Sequence, residues 1–368
     1  MAELERIQRR APGSENADDE LYSDRHFVGG PSTHGPYTLT TIIGRGLPSA
    51  VPAVRPAVRL HTSVHANLIP ETIIDGALAP ADSAAYHGGT AGNEVAALAS
   101  LELGVRLRVA GTSQLSGIHR DGEEHSPIYL EVPPLAHPGR PGYEFVPAAA
   151  SRPADLGQLS RLDSFSSMEE TAQIELVRAA REYATGLWWS NEDQNQAWLQ
   201  LVTAVEIAAN HRQQVQTAPE SLVQALWPEL WSALTTAGDT ARAQVAWLVA
   251  PQIRATRKIV DFLVACAPKP PALRPPHGKL EWGDMAQHAR LIYGHRSTAL
   301  HAGKPFPLPM LERPRSEENG AIQEVPWGLN SGGQGGIWDA KEVPMLLSTF
   351  EHIARGSLLN WWDELRGA

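Results

Sequence analysis

The tryptophans divide this chain before any element is assigned. All 11 lie at or beyond Trp188, and the first half of the 368 residues has none. A chain whose bulkiest core residue is confined to one half is built from two unlike parts. The length agrees, since about 150 residues per domain suggests two domains.

The texture of the sequence follows the same boundary. Residues 1–36 are polar, charged and Gly-rich, and are expected to form a mobile tail. From Tyr37 onward, β-type runs recur at 37–43, 58–64, 104–109 and 127–132, flanked by Gly, Pro and Asp turn signals. One helix is expected at Asn93–Leu103, where Val95, Leu98, Ala99 and Glu102 trace a helical face. Residues 37–150 thus read as a β-rich domain. After Ser151 the pattern turns helical, with candidates at 168–186, 191–213, 220–236, 239–266, 281–302 and 340–365. Asp239 is the expected N-cap of the fourth, behind Gly238, and Pro251 is expected to kink or split it. PKPPALRPPHG (268–278) and residues 305–336, ending in SGGQGG, read as loops. The expected fold class is α+β in two domains, with residues 151–368 an all-α bundle.

Composition excludes several classes. A single cysteine, Cys266, rules out an internal disulfide framework and any multi-cysteine metal centre. No apolar run approaches 18 residues, and the first 30 residues lack the apolar stretch of a secretory signal, so a soluble, cytoplasmic protein is expected. The net charge of −10 argues against a general nucleic-acid coat. One segment reverses the sign: residues 251–304 carry nine basic residues against three acids, with four histidines besides. An acidic body with one basic stretch suits an anionic ligand at a defined place.

Most motifs have ordinary readings. HGGTAGNE (87–94) is a turn with an N-cap from Thr90 or Asn93; it lacks the lysine of a phosphate loop. His61 and His65 share a strand face, but four residues apart they stand about 13 Å from each other, too far to share a metal. No metal and no cofactor is expected. Glu206 is less ordinary. It falls inside the apolar stripe of Trp198, Leu201, Val202, Val205 and Ala209, and a carboxylate there needs a partner. Arg296 is the first candidate, whether in a structural ion pair or at a site.

The segment ARLIYGHRSTALHAGKPFP (289–307) is the strongest local signal, a mixed helix stopped by Gly303 and Pro305. Arg296 and His301 are five residues apart, about 7.5 Å in rise and 140° around the helix. His301 sits in the last turn, where the carbonyl ends favour a protonated ring. Ser297, one turn earlier, is placed to orient that ring. By chemistry alone, an arginine and a histidine near a helix end are more often a salt-bridge residue and a surface histidine than a site.

RSTALH (296–301) resembles the R-x(4–6)-H motif of HEPN domains, above all the Apea-like HEPN group. WLQLVTAVEIAA (198–209), with Glu206 at an acidic position, is similar to an early helix of that group, and residues 343–365 resemble its closing helix. The resemblance spans about residues 170–368 and leaves the N-terminal half unrecognised. Ser297 stands where many relatives carry Asn, Asp or His, and Ala302 separates His301 from Gly303, a departure from the usual His-Gly pair. The resemblance implies a homodimeric, metal-independent endoribonuclease acting as a toxin or in phage defence, with RNA as partner. It implies Arg296 and His301 as catalytic residues, supported by Glu206, Tyr293, His295 and Ser297. Arg257, Lys258, Arg290 and Lys304, from the basic stretch, are the expected RNA contacts. A HEPN bundle serving only dimerisation or RNA and nucleotide binding is the alternative. The N-terminal half would carry a sensor, an inhibitor-binding surface or a targeting module.

Overall fold

The computed structural model describes residues 14–42, 54–65, 73–74, 77–78, 87–116, 144–149, 153–212, 218–327, 330–333 and 336–367. The expected strand at 127–132 lies outside them. Among the described residues the N-terminal part is built on an antiparallel sheet. Its strands are β1 (Ser14–Ser23), β3 (Ser32–His34), β4 (Tyr37–Thr41), β5 (Arg55–His65) and β8 (Arg108–Ser116), in the order β3-β4-β5-β1-β8. The short strands β2 (Phe27–Val28), β6 (Ile73–Ile74), β7 (Ala77–Leu78) and β9 (Ala154–Asp155) lie outside this sheet.

Residues 14–34 are therefore not the mobile tail that their polarity suggests. β1 pairs with β5 on one side and β8 on the other, so its backbone is satisfied along both edges. That ladder, with Leu21 fully buried, holds a strand reading ADDELYS. His61 adds a cross-strand hydrogen bond, its Nδ1 donating to the Asp18 carboxylate at 2.7 Å. The strand expected at 104–109 begins later, at Arg108. Gly104 adopts φ +67° to end the preceding helix, and a Cβ there would meet Arg355 Nε at 2.9 Å.

That helix, α1 (Ala91–Leu103), packs against β8 and against the bundle. Thr90 is its N-cap, accepting from the Asn93 amide at 3.3 Å. The helical part comprises α2 (Leu162–Phe165), α3 (Glu170–Trp189), α4 (Gln194–Arg212), α5 (Pro219–Leu226), α6 (Pro228–Ala233), α7 (Asp239–Cys266), α8 (Met285–Ala302) and α9 (Leu347–Arg366). α3 and α4 pack closely because Gly186 has no Cβ; one would meet Leu201 Cγ at 2.9 Å. Trp198 anchors the bundle between Phe306 and Phe350, with ring centroids 5.2 and 4.8 Å away. Its Nε1 donates to the Met310 carbonyl at 3.2 Å.

Prolines set several boundaries differently from the sequence expectation. Pro228 breaks the stretch 220–236, because it disfavours helical geometry at Trp227 (φ −130°, ψ 62°). α9 starts at Leu347, beyond Pro344. Pro251, by contrast, does not split α7, which is assigned as one helix from Asp239 to Cys266. Asp239 is the first helical residue and makes no side-chain cap; Gly238, at φ +84°, precedes it. SGGQGG is not simply a loop, since β10 (Asn330–Gly333) and β11 (Gly336–Asp339) pair as an antiparallel hairpin.

The α+β layout holds, but the two parts share one contiguous core. Leu21, Leu39 and Leu60 of the sheet, Leu98 of α1, and Trp198, Phe350 and Trp362 belong to a single buried cluster. Arg106, fully buried, fastens the parts together. Its guanidinium donates to Asp24 at 2.8 Å, the Leu187 carbonyl at 2.7 Å and Ser190 at 2.7 Å. Among the described residues, the arm of α5, α6 and the first turns of α7 keeps a separate small core, around Leu222, Val223, Ala246 and Ala250.

Candidate functional site

α8 contains no Asp or Glu, in a chain with 41 of them, while carrying Arg290, Arg296 and three histidines. Its buried side is formed by Met285, Ala289, Ile292 and Tyr293. These lie at i, i+4, i+7 and i+8, the stripe of a helix packed on one face. Arg290, Gly294, Thr298 and His301 are exposed on the other face.

The angular separation of Arg296 and His301 becomes a division of labour. Arg296 lies on the flank toward α4, where its guanidinium meets Glu206 at 2.5 Å; the two side chains are only 16% and 19% exposed. Tyr293 donates its hydroxyl to the other oxygen of Glu206 at 3.0 Å. Its ring lies 5.6 Å from the Arg296 guanidinium carbon, within cation–π range. Burial, with the Glu206 charge beside it, pushes the Tyr293 phenol up to about 12. Tyr293 therefore remains a neutral donor at physiological pH. The carboxylate placed in the apolar stripe of α4 has found the expected arginine, and the three side chains clamp α8 onto α4. Arg296 Nε is left buried without an acceptor.

His301 stands apart from that clamp. It is exposed in the last turn of α8, before Gly303 ends the helix at φ +63°. Ser297 does not orient it, since no hydrogen bond joins them among the described residues; the one-turn spacing is present, but the hydroxyl is not used that way. His295 faces elsewhere, with Nε2 donating to the Glu342 carbonyl at 2.7 Å and the ring 6.2 Å from Phe306. Burial pushes its pKa below the ordinary value, against the raising effect of that carbonyl. His295 is thus a fastening between α8 and the 340–342 turn, outside the surface that holds His301.

The expected RNA contacts also separate into two sets. Arg290 and Lys304 are exposed and make no ion pair among the described residues. Arg257 and Lys258 are already engaged on α7, by Asp261 at 3.3 Å and by Asn210 of α4 at 3.2 Å. Part of the positive charge of residues 251–304 is spent internally, and what remains on α8 is Arg290, with Lys304 just past its end.

Sequence reasoning missed His288. It shares a flank of α8 with His295, seven residues on, and its Nε2 also lies against a backbone carbonyl, that of Glu281 at 3.0 Å. The repeat of histidine at 288 and 295 was the available signal. Of the tryptophans, Trp198, Trp361 and Trp362 are core residues, and Trp247, 70% exposed, lies on α7. Compared with known proteins, the chain matches no family model, no curated protein and no solved structure.

Proposed function

We propose that this protein is an RNA-cleaving enzyme of HEPN type, working without a metal, whose site forms where the outward faces of two α8 helices meet. The supporting observation is the surface around α8: an exposed histidine and an exposed arginine on a helix free of acids, with exposed Lys304 just past its end, in a chain of net charge −10. RNA is the polyanion that carries its own nucleophile, the ribose 2′-hydroxyl.

In this reading His301 removes the 2′-hydroxyl proton, and the oxygen attacks the adjacent phosphorus. The bond to the 5′ oxygen breaks, and His301 of the second copy returns a proton to that leaving oxygen. The products are a 2′,3′-cyclic phosphate and a 5′-hydroxyl. Arg290 and Lys304 hold the phosphate against the face and oppose the growing negative charge. Arg296 is a positioning residue: bound to Glu206, it keeps α8 seated so that His301 is presented at a fixed height. The resemblance would give Arg296 the transition-state role instead.

The Glu206–Arg296 pair favours a second reading, an RNA-binding module without cleavage, because a neutralised arginine has less charge to offer a transition state. End-labelled RNA incubated with the purified protein in EDTA separates the two. Cyclic-phosphate ends that vanish in His301→Ala support the enzyme. Retention of RNA without new ends supports the module. The toxin and phage-defence roles rest on the resemblance alone.

A further inference from the structure

The hairpin of β3 and β4 carries a contact that the α8 surface does not use. Ser32 and His34 are two residues apart on β3, so their side chains leave the same face of the strand. Ser32 Oγ lies 2.8 Å from His34 Nε2, and His34 Nδ1 donates to the carboxylate of Asp163, on α2, at 2.6 Å. A ring nitrogen held against a carboxylate carries a proton whether the ring is neutral or charged. In the neutral ring Nε2 is therefore bare, and it faces the Ser32 hydroxyl. A hydroxyl, a base within hydrogen-bond reach and a third group that orients the base are the parts of an activated nucleophile.

The surroundings suit that chemistry. His34 is buried, with its ring held from both sides, while Ser32 is partly exposed and Asp163 exposed. β3 is the end strand of its sheet. His34 and Tyr37 close the two-residue turn Gly35-Pro36, the position of a hydrogen-bonded pair, so the alternation of the ladder turns the Thr33 amide away from β4. The hydroxyls of Thr33 and Thr38, 3.1 Å apart, fit the closer kind of pair that this requires. The Thr33 amide, next in the chain to the serine, is thus a donor at an open edge, where the oxygen of a tetrahedral intermediate needs one. The local charge selects the substrate. Asp163 and the buried Glu102 of α1 both act on His34, and Arg161 beside them is paired with Glu102 at 3.6 Å and Asp363 at 2.8 Å. Two carboxylates oppose the approach of a phosphate and leave an uncharged carbonyl unopposed.

We propose that Ser32, His34 and Asp163 form a second active site, which transfers the acyl group of uncharged carboxylic esters to water through an acyl-serine. Ser32 Oγ bonds to the carbonyl carbon as its proton passes to His34 Nε2. The bond to the leaving alcohol oxygen then breaks, and Nε2 returns the proton to that oxygen. Water, deprotonated in turn by Nε2, attacks the acyl-serine, and the proton goes back to Ser32 as the carboxylic acid departs. Ser32 and His34 are the catalytic residues, and Asp163 is a positioning residue. The site goes beyond the ribonuclease reading and does not depend on it.

The test uses the full chain with p-nitrophenyl acetate and, separately, with an uncharged fluorophosphonate from which a nucleophilic serine displaces fluoride. The expected result is a burst of p-nitrophenol followed by turnover, with mass spectrometry placing the phosphonyl group on Ser32. Ser32→Ala, a small change at a partly exposed position, should remove both burst and label while circular dichroism stays native. Asp163→Asn should lower kcat/KM by about 10². It should also move the ascending limb of the pH profile to lower pH, because the lost carboxylate no longer favours the charged ring. A merely structural role for Asp163 would leave that limb in place. Unchanged hydrolysis by folded Ser32→Ala, a probe bound elsewhere or not at all, or no ester turnover by the wild type would overturn the assignment and leave His34 as a fastening between the hairpin and α2.

Discussion

Glu206 shows how far a single residue can be read from sequence. A carboxylate inside an apolar stripe needs a cationic or hydrogen-bonded partner, and Arg296 was the first candidate. The structure supplies Arg296 and adds a hydrogen bond from Tyr293, a residue that the resemblance named and whose contact with Glu206 no spacing within either helix shows. Arg296→Ala leaves Glu206 largely buried without its cation, so it should cost about 1–3 kcal/mol of stability by denaturant unfolding. Glu206→Gln in the Arg296→Ala background should recover part of that loss, the signature of a coupled pair. His295 carries a pH prediction. Its folded pKa lies below the ordinary histidine value, so the unfolded chain binds the proton first as pH falls. Stability from His295 is complete above about pH 6.5 and is lost as pH drops toward its folded value. Melting temperatures at pH 7.5 and 5.5 should therefore differ less in His295→Gln, which keeps a donor for the Glu342 carbonyl, than in the wild type. His288 was not legible, because its partner is the backbone carbonyl of Glu281, which no side-chain pattern announces.

At the scale of elements, legibility followed the strength of the local signal. α3, α4 and α7 matched their expected spans closely because helical periodicity and stops coincide there. β1 escaped because a strand hydrogen-bonded along both edges needs little apolar patterning, and SGGQGG escaped because hairpin pairing is made by backbone alone. α8 was found, but its faces were assigned only by packing. A Cβ at Gly294, on its exposed face, would meet no atom within 4 Å. Gly294→Ala should therefore raise stability by about 0.5–1 kcal/mol through helix propensity. Gly294→Arg should fold equally well yet hold two α8 faces apart. If that variant keeps wild-type cleavage and the same mass by light scattering, the faces do not meet there.

At the scale of the whole molecule, the tryptophan boundary marks a change of construction, without a break in the core. Arg106 explains why: it comes from the segment after α1 and satisfies Asp24, Ser190 and a carbonyl at the end of α3. No sequence pattern brings residues 24, 106 and 190 together. A shared core predicts one cooperative calorimetric transition, and Arg106→Ala, which strands a buried carboxylate, should lower its stability by about 3–5 kcal/mol. Two separated transitions in the wild type would show parts that fold independently. The exposed face of α8 then sits on a scaffold held rigid from the sheet through α9. The most direct test is the rate of RNA cleavage in EDTA, with ends analysed, for wild type and His301→Ala. The account predicts cyclic-phosphate ends from the wild type and a rate lower by about 10²–10⁴ in a dimeric, natively folded variant. An equal rate in the folded variant, or no cleavage by wild-type protein that binds the same RNA, would contradict it.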